Sequence, residues 1–227
     1  MQNIAQNLAR MRTELQAMAA RHGRPPGSVA VLAVTKSQTP EAIRAAAACG
    51  QLDFGENYLQ EALVKQQQLA DLALIWHFIG PLQSNKTRLV AQHFDWVHSV
   101  DREKVARRLA QAGAIRSTPL NVCLQVNISG EATKAGAAPE AVLELVRCVA
   151  ALPALRLRGL MALPEPTLDF QAQRAGFRRL RALFTDLIGA GFALDTLSMG
   201  TTSDAEAAIA EGATMVRIGA GIFGSRA

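Results

Sequence analysis

The sequence has few aromatic residues, 5% of its 227 positions, although hydrophobic residues make up 49%. Core volume must then come from Ala, Val, Leu and Ile, the usual filling of parallel sheets coated by helices. It holds only three cysteines, Cys49, Cys123 and Cys148, too scattered for a CxxC or zinc pattern. Buried free thiols in a reducing cytoplasm are the expected state. No run of about 18 apolar residues occurs, so no membrane span is expected. The opening Met1-Gln2-Asn3-Ile4-Ala5-Gln6 lacks a basic start followed by an apolar stretch, so no secretory signal is expected either. HExxH, P-loop and GxSxG motifs are missing, as is a His/Asp grouping suited to a metal, so no metal cofactor is expected.

Charge is present but modest. Twenty-four Lys and Arg against 19 Asp and Glu give a net charge of +5. The basic residues cluster as Arg102-Glu103-Lys104 with Arg107-Arg108, and as Arg174 with Arg178-Arg179 and Arg181. Both clusters recur at helical spacing with apolar residues between them, which reads as solvated helix faces rather than a nucleic-acid contact. A general attraction for anions such as phosphates is compatible with the balance.

The period of the apolar pattern alternates along the chain. Residues 2–22 predict an amphipathic helix with Ile4, Leu8, Met11, Leu15 and Met18 on one face, ended by Gly23 and Pro25-Pro26. Val29–Thr35 is a short, continuous apolar run, the mark of a strand buried on both faces. Thr39 then caps a helix with Pro40 in its first turn. The same unit recurs: strands are predicted at 52–54, 74–79, 94–97, 120–128, 157–162, 196–199 and 215–218, with helices between them. Ser99 or Asp101 is expected to cap the helix after the fourth strand. Eight strands alternating with helices imply parallel β/α units with right-handed crossovers, closing into a (β/α)8 barrel with an extra N-terminal helix. An open doubly wound sheet is the alternative, but no GxGxxG follows the first strand. No linker divides the chain, so residues 1–227 are expected to form a single domain.

Barrel sites lie at the C-terminal ends of the strands. Lys36 directly follows Val31-Leu32-Ala33-Val34-Thr35. Desolvation at such a position favours a neutral, nucleophilic amine, which an aldehyde would trap. A lysine snorkelling from a strand end is the plainer reading. Gly200-Thr201-Thr202-Ser203-Asp204 and Gly219-Ala220-Gly221 follow the last two strands, where barrels often hold phosphate; ordinary turn chemistry would also explain them. Arg217 interrupts the last strand and needs a ligand or an internal carboxylate as partner. Asn57, Ser84, Asn85, Lys86 and Asn127 fit caps or turns as well as ligand roles. His77, inside an apolar strand, fits a hydrogen-bonded core histidine better than a base.

Several segments together carry a resemblance: Leu32-Ala33-Val34-Thr35-Lys36, Phe54-Gly55-Glu56-Asn57-Tyr58, the string from Trp76 to Lys86 (WHFIGPLQSNK), Gln125-Val126-Asn127-Ile128, Arg158-Gly159-Leu160-Met161, Leu197-Ser198-Met199-Gly200, and Met215-Val216-Arg217-Ile218-Gly219 with Ile222-Phe223-Gly224. They span nearly the whole chain, which resembles the pyridoxal phosphate homeostasis family (YggS/PROSC type, alanine-racemase-N-terminal-domain-like). The resemblance implies a chain that holds pyridoxal 5′-phosphate (PLP) as a Schiff base on Lys36. It places Arg217 at the pyridine nitrogen; Ser198, Thr202, Gly219 and the amide of Ala220 around the phosphate; Asn57 and Met161 beside the ring; and Lys134 at the rim. Three positions depart from the family pattern. Gln38 stands where a second lysine is frequent, Thr202 where serine is usual, and Ala220 where threonine is usual.

Racemases need two opposed bases. The sequence stops after the eighth unit, and the resemblance does not place its one tyrosine, Tyr58, as a base. A cytoplasmic cofactor carrier that supplies or buffers PLP is therefore expected, rather than an efficient enzyme. Its partners would be PLP and apo PLP-dependent enzymes, with no nucleic acid and no membrane, and its state a monomer or weak dimer. A weak racemase or another PLP enzyme acting on small amino acids is the runner-up; a PLP-free barrel binding a sugar phosphate is a third reading.

Overall fold

The computed structural model describes residues 3–130 and 135–224. Eight parallel strands close into a barrel in chain order: β1 Ala30–Val34, β2 Asp53–Glu56, β3 Ile75–Phe78, β4 Trp96–Val100, β5 Leu120–Gln125, β6 Leu155–Met161, β7 Thr196–Thr201 and β8 Met215–Ile218. Closure runs through β1 and β8, with Leu32 opposite Arg217. The helices are α1 Ile4–Arg21, α2 Pro40–Ala48, α3 Leu59–Gln68, α4 Thr87–His93, α5 Glu103–Gly113, α6 Val142–Ala150, α7 Phe170–Gly189, α8 Ala205–Ala210 and α9 Ala220–Phe223. A helix follows each strand, and the strands are largely buried, as their short apolar runs require.

Local signals explain where elements begin. The Asn3 side chain accepts from Gln6 N and starts α1; the Thr39 hydroxyl accepts from Ala42 N and starts α2, with Pro40 in its first turn. α1 lies outside the β/α repeat. It buries Leu8, Met11, Leu15 and Ala19, and Asn7 Nδ2 donates to the Ile222 carbonyl at 3.0 Å, tying it to α9. Burying a leucine of this kind contributes about 1.5–3 kcal/mol. Gly221 belongs to this contact: a Cβ there would lie 2.5 Å from Met11 Cε. Its smallness serves this helix packing.

Several boundaries differ from expectation. The fourth strand is Trp96–Val100, not 94–97, because Trp96 pairs with His77 while Phe94 is the buried residue that ends α4. Ser99 consequently lies buried inside the strand, and α5 starts after Arg102 with no side-chain cap from Ser99 or Asp101. β5 ends at Gln125, since Val126 leaves the ladder for a single bridge to Ala137. Of the cysteines only Cys123 is fully buried; Cys49 and Cys148 are half-buried. Burial pushes the Cys123 thiol up to about 12, which makes it inert. The basic clusters do form helix faces: Arg107 pairs with Glu103, and Arg174 and Arg178 share Glu211. No helix among the described residues is long and apolar enough to cross a membrane.

Candidate functional site

A cavity of about 540 Å³ opens at the C-terminal mouth of the barrel. It is within the usual size of a small-molecule site. Lys36 enters it from the turn after β1. That turn is closed by Gln38 N donating to the Thr35 carbonyl at 2.9 Å. Ser37 occupies its third position with φ 62°, the one non-glycine residue among those described with positive φ.

Asn57 enters from the end of β2. Its backbone is pressed against Gly80, where a Cβ would lie 2.1 Å from the Asn57 carbonyl oxygen. Gly80 therefore fixes how deep Asn57 sits. Gly80→Ala is expected to cost about 1–3 kcal/mol of stability through overpacking, measured by denaturant unfolding. The Asn57 Oδ1 atom is buried and has no partner. An acceptor in that state costs free energy unless a ligand donates to it.

The opposite wall is the loop after β7 with the start of α9. Thr201, Thr202, Ser203, Gly219 and Ala220 all line the cavity. Asp204 holds this loop, accepting from Thr201 N at 2.6 Å and Thr201 Oγ1 at 2.7 Å. The loop must turn at Gly200, whose φ is 91° and where a Cβ would strike Ala208 Cβ at 2.6 Å. Its hydroxyls form a donor-rich wall suited to an anion.

Arg217 lies at the cavity floor and is 4% exposed. Nη1 donates to the Ser198 carbonyl at 2.6 Å and to Ser198 Oγ at 2.9 Å; Nη2 donates to the Ala162 carbonyl at 2.8 Å. Its partners are thus carbonyls and a hydroxyl, not the internal carboxylate the sequence left open. Burial pushes the guanidinium down to about 10, partly offset by Asp204, so it stays charged at neutral pH.

Beneath Arg217 runs a chain of hydrogen bonds through the barrel interior. Ser198 Oγ meets His98 Nδ1 at 2.9 Å, His98 Nε2 meets His77 Nδ1 at 2.9 Å, and His77 Nε2 meets Asp53 Oδ1 at 3.0 Å. The Asp53 carboxylate only accepts, so neutral His77 donates Nε2–H to it and accepts at Nδ1 from His98 Nε2–H. His98 Nδ1 then accepts from the Ser198 hydroxyl, whose oxygen also accepts from Arg217. Both imidazoles are held neutral: burial lowers His77 below its ordinary value and His98 well below.

The sequence-predicted residues thus divide. Lys36, Asn57, Thr202, Arg217, Gly219 and Ala220 share the cavity, with Gln38 beside them. Ser198 and Met161 are fully buried and do not line it; Ser198 sits under Arg217, engaged with it and with His98. His77 is a hydrogen-bonded core histidine. Asn127 stands at the start of the turn after β5, its Oδ1 accepting from Gly130 N at 3.2 Å. Lys134 lies outside the described residues. Sequence reasoning missed Ile79 and Leu163 as apolar walls, and His98 as the link between His77 and Ser198. The signal for His98 was present: a second histidine inside an apolar strand.

A closed β/α barrel whose mouth offers one lysine amine from β1, a hydroxyl loop after β7 and a buried guanidinium on β8 defines the racemase-type class of (β/α)8 barrels. The family described as "Alanine racemase, N-terminal domain" matches residues 6–227. The chain is 58% identical over 226 residues to the pyridoxal phosphate homeostasis protein of Pseudomonas aeruginosa, covering 100% of this chain and 97% of that one. It is 48% identical over 229 residues to the protein of the same name from Escherichia coli K12, covering 100% and 98%. PipY of Synechococcus elongatus PCC7942, solved with PLP bound, superposes with a TM-score of 0.86 at 38% identity, covering 97% of this chain and 100% of that one. The chain belongs to the pyridoxal phosphate homeostasis protein family.

Proposed function

We propose that this chain holds PLP in the barrel mouth, attached through Lys36, and supplies or buffers it for PLP-dependent enzymes without running an efficient reaction of its own. The observation that carries the reading is convergence: one lysine side chain, one asparagine and one hydroxyl-rich loop line the same cavity. The names of the relatives and the PLP seen in PipY support it.

PLP supplies an electrophilic aldehyde carbon, an electron-accepting ring and an anionic phosphate. On the side of the protein, Lys36 Nζ is the nucleophile. Thr202, Gly219 and Ala220 form the phosphate wall, and Asn57 Oδ1 offers an acceptor to a ligand hydroxyl. Arg217 keeps its proton and donates only, so a ring nitrogen beside it stays unprotonated and the ring is a weaker electron sink. Ser198 and Met161 act from beneath, as support rather than contact. Residues 1–227 work as one cytoplasmic domain, a monomer or weak dimer.

Among the described cavity residues there is no carboxylate, imidazole or phenol. Tyr58 is 59% exposed and lies outside the lining. Among these described residues a two-base racemase cycle finds no second base of those kinds. Titrating purified protein with PLP, reducing with borohydride and mapping peptides tests the reading: one pyridoxyl group on the Lys36 peptide is expected. A colourless protein after dialysis, or rapid Lys36-dependent racemisation of a free amino acid, refutes it.

Ala220 gives the wall a methyl where a hydroxyl would donate. Ala220→Thr is expected to tighten PLP binding by about tenfold to a hundredfold at most, since a hydrogen bond to a charged group is worth roughly 1.5–3 kcal/mol. Equilibrium dialysis checks it.

A further inference from the structure

Behind the Lys36 turn lies a buried ammonium that the cavity does not use. Lys65, on α3, is 4% exposed. Its Nζ donates to the Thr35 carbonyl at 2.6 Å, to Glu56 Oε1 at 2.7 Å and to Glu61 Oε1 at 2.5 Å. Three N–H donors thus meet three acceptors, the full capacity of the group. Each acceptor does a second task. The Thr35 carbonyl also closes the turn by accepting from Gln38 N at 2.9 Å. Glu61 Oε1 also accepts from Ser37 N at 2.6 Å. Glu56 Oε1 also accepts from Thr35 Oγ1 at 2.8 Å, and Glu56 is bonded directly to Asn57 in the chain.

The residues on either side of Lys36 are therefore held by one ion cluster. Thr35 is held by Lys65 and Glu56, and Ser37 by Glu61. Ser37 needs such a hold, because its φ of 62° is a conformation that side-chain-bearing residues seldom adopt. A lysine costs free energy to bury, and here the buried Glu56 carboxylate of β2 offsets part of that cost. Its other two acceptors tie it to the turn and to Glu61.

We propose that Lys65 and Glu61 are positioning residues for Lys36, a clamp that sets the turn so that the Lys36 amine points into the cavity. The proposal rests on the PLP reading only for its ligand; the clamp itself is a property of the ligand-free protein. Glu61 is 30% exposed in its side chain, so Glu61→Ala keeps the fold. It frees Ser37 N and removes one acceptor from Lys65.

The test uses the full chain in two arms. In the first, without PLP, lysines are labelled competitively with acetic anhydride and the Lys36 peptide is compared with that of exposed Lys104. The Lys36/Lys104 ratio is expected to change about threefold or more in Glu61→Ala and Lys65→Met. In the second arm, PLP attachment is followed by absorbance and borohydride trapping. A loss of about tenfold in affinity is expected for Glu61→Ala, with much of it restored by Ser37→Gly in the same chain, because glycine adopts the turn without support. Glu61→Gln keeps an acceptor for Ser37 N and is expected to stay near wild type. Rescue by a glycine that touches no ligand is a result that general destabilisation does not produce. Folded Glu61→Ala protein with an unchanged Lys36 labelling ratio overturns the clamp. If wild type takes up no PLP while the ratio changes, the clamp stands and the cofactor reading falls.

Discussion

Lys36→Ala is expected to abolish covalent uptake of PLP: after loading and borohydride reduction, wild type gains one pyridoxyl group on the peptide that contains residue 36, and the variant gains none. Among the described residues Lys36 alone brings an ammonium to the cavity. Lys65 is near in space but fully engaged with Thr35, Glu56 and Glu61. The variant keeps the hydroxyl loop and Arg217, so PLP still binds, held by its phosphate and ring alone. Its retention through dialysis is expected to fall at least about 100-fold, because a pre-placed nucleophile gains a large effective concentration that free solution lacks. Mass spectrometry and the visible absorption band report the two effects separately. Label appearing at wild-type stoichiometry on another lysine refutes the assignment.

Much of this arrangement is legible in the sequence, for a definite reason. A barrel strand buried on both faces is a short unbroken apolar run, and the residue just after it lies at the mouth. That places Lys36, Asn57 and the Gly200–Asp204 loop without any tertiary information. The same logic fails where an apolar residue is buried by something other than the barrel. Phe94 looks like the start of β4 but ends α4, so the strand begins at Trp96. It also fails for charges buried by tertiary contact. Glu61 and Lys65 are spaced i,i+4 on an amphipathic helix, the pattern of an exposed pair. Only the path of the turn after β1 over α3 buries Lys65 and half-buries Glu61. Ser198 was expected at the phosphate. Its place in β7 turns its side chain to Arg217 and His98, and it does not line the cavity.

His98→Leu is the substitution expected to cost the most stability at a single interior site. His98 is fully buried and joins two groups that have no water to turn to. Leucine leaves the Ser198 hydroxyl hydrogen and His77 Nδ1 unpaired. Each buried unsatisfied group costs about 1–3 kcal/mol, so a loss of about 2–6 kcal/mol is expected, against the 5–15 kcal/mol typical of a folded domain. Arg217 loses its fixed hydroxyl partner as well, so PLP retention falls with it. Asp53→Asn, at the half-exposed far end of the chain, keeps a carbonyl acceptor for His77 and is expected to cost far less. The pH dependence separates this account from a simple packing defect. Both histidines are neutral in the folded protein, with values held below the ordinary one. Well above about pH 6.5 neither state binds a proton there and they add no pH slope. Below it the unfolded chain takes up protons that the folded protein refuses, so stability falls as pH falls, by up to about 1.4 kcal/mol per pH unit for each histidine. Glu56 runs the other way, since burial raises its carboxyl and its ionisation burdens the fold less as pH drops. Wild type is therefore expected to lose more stability between pH 7.5 and 5.5 than His98→Leu, measured by urea unfolding at both values. Equal losses in the two proteins would mean that His98 titrates alike in the folded and unfolded chain, against its burial beside His77 and Arg217.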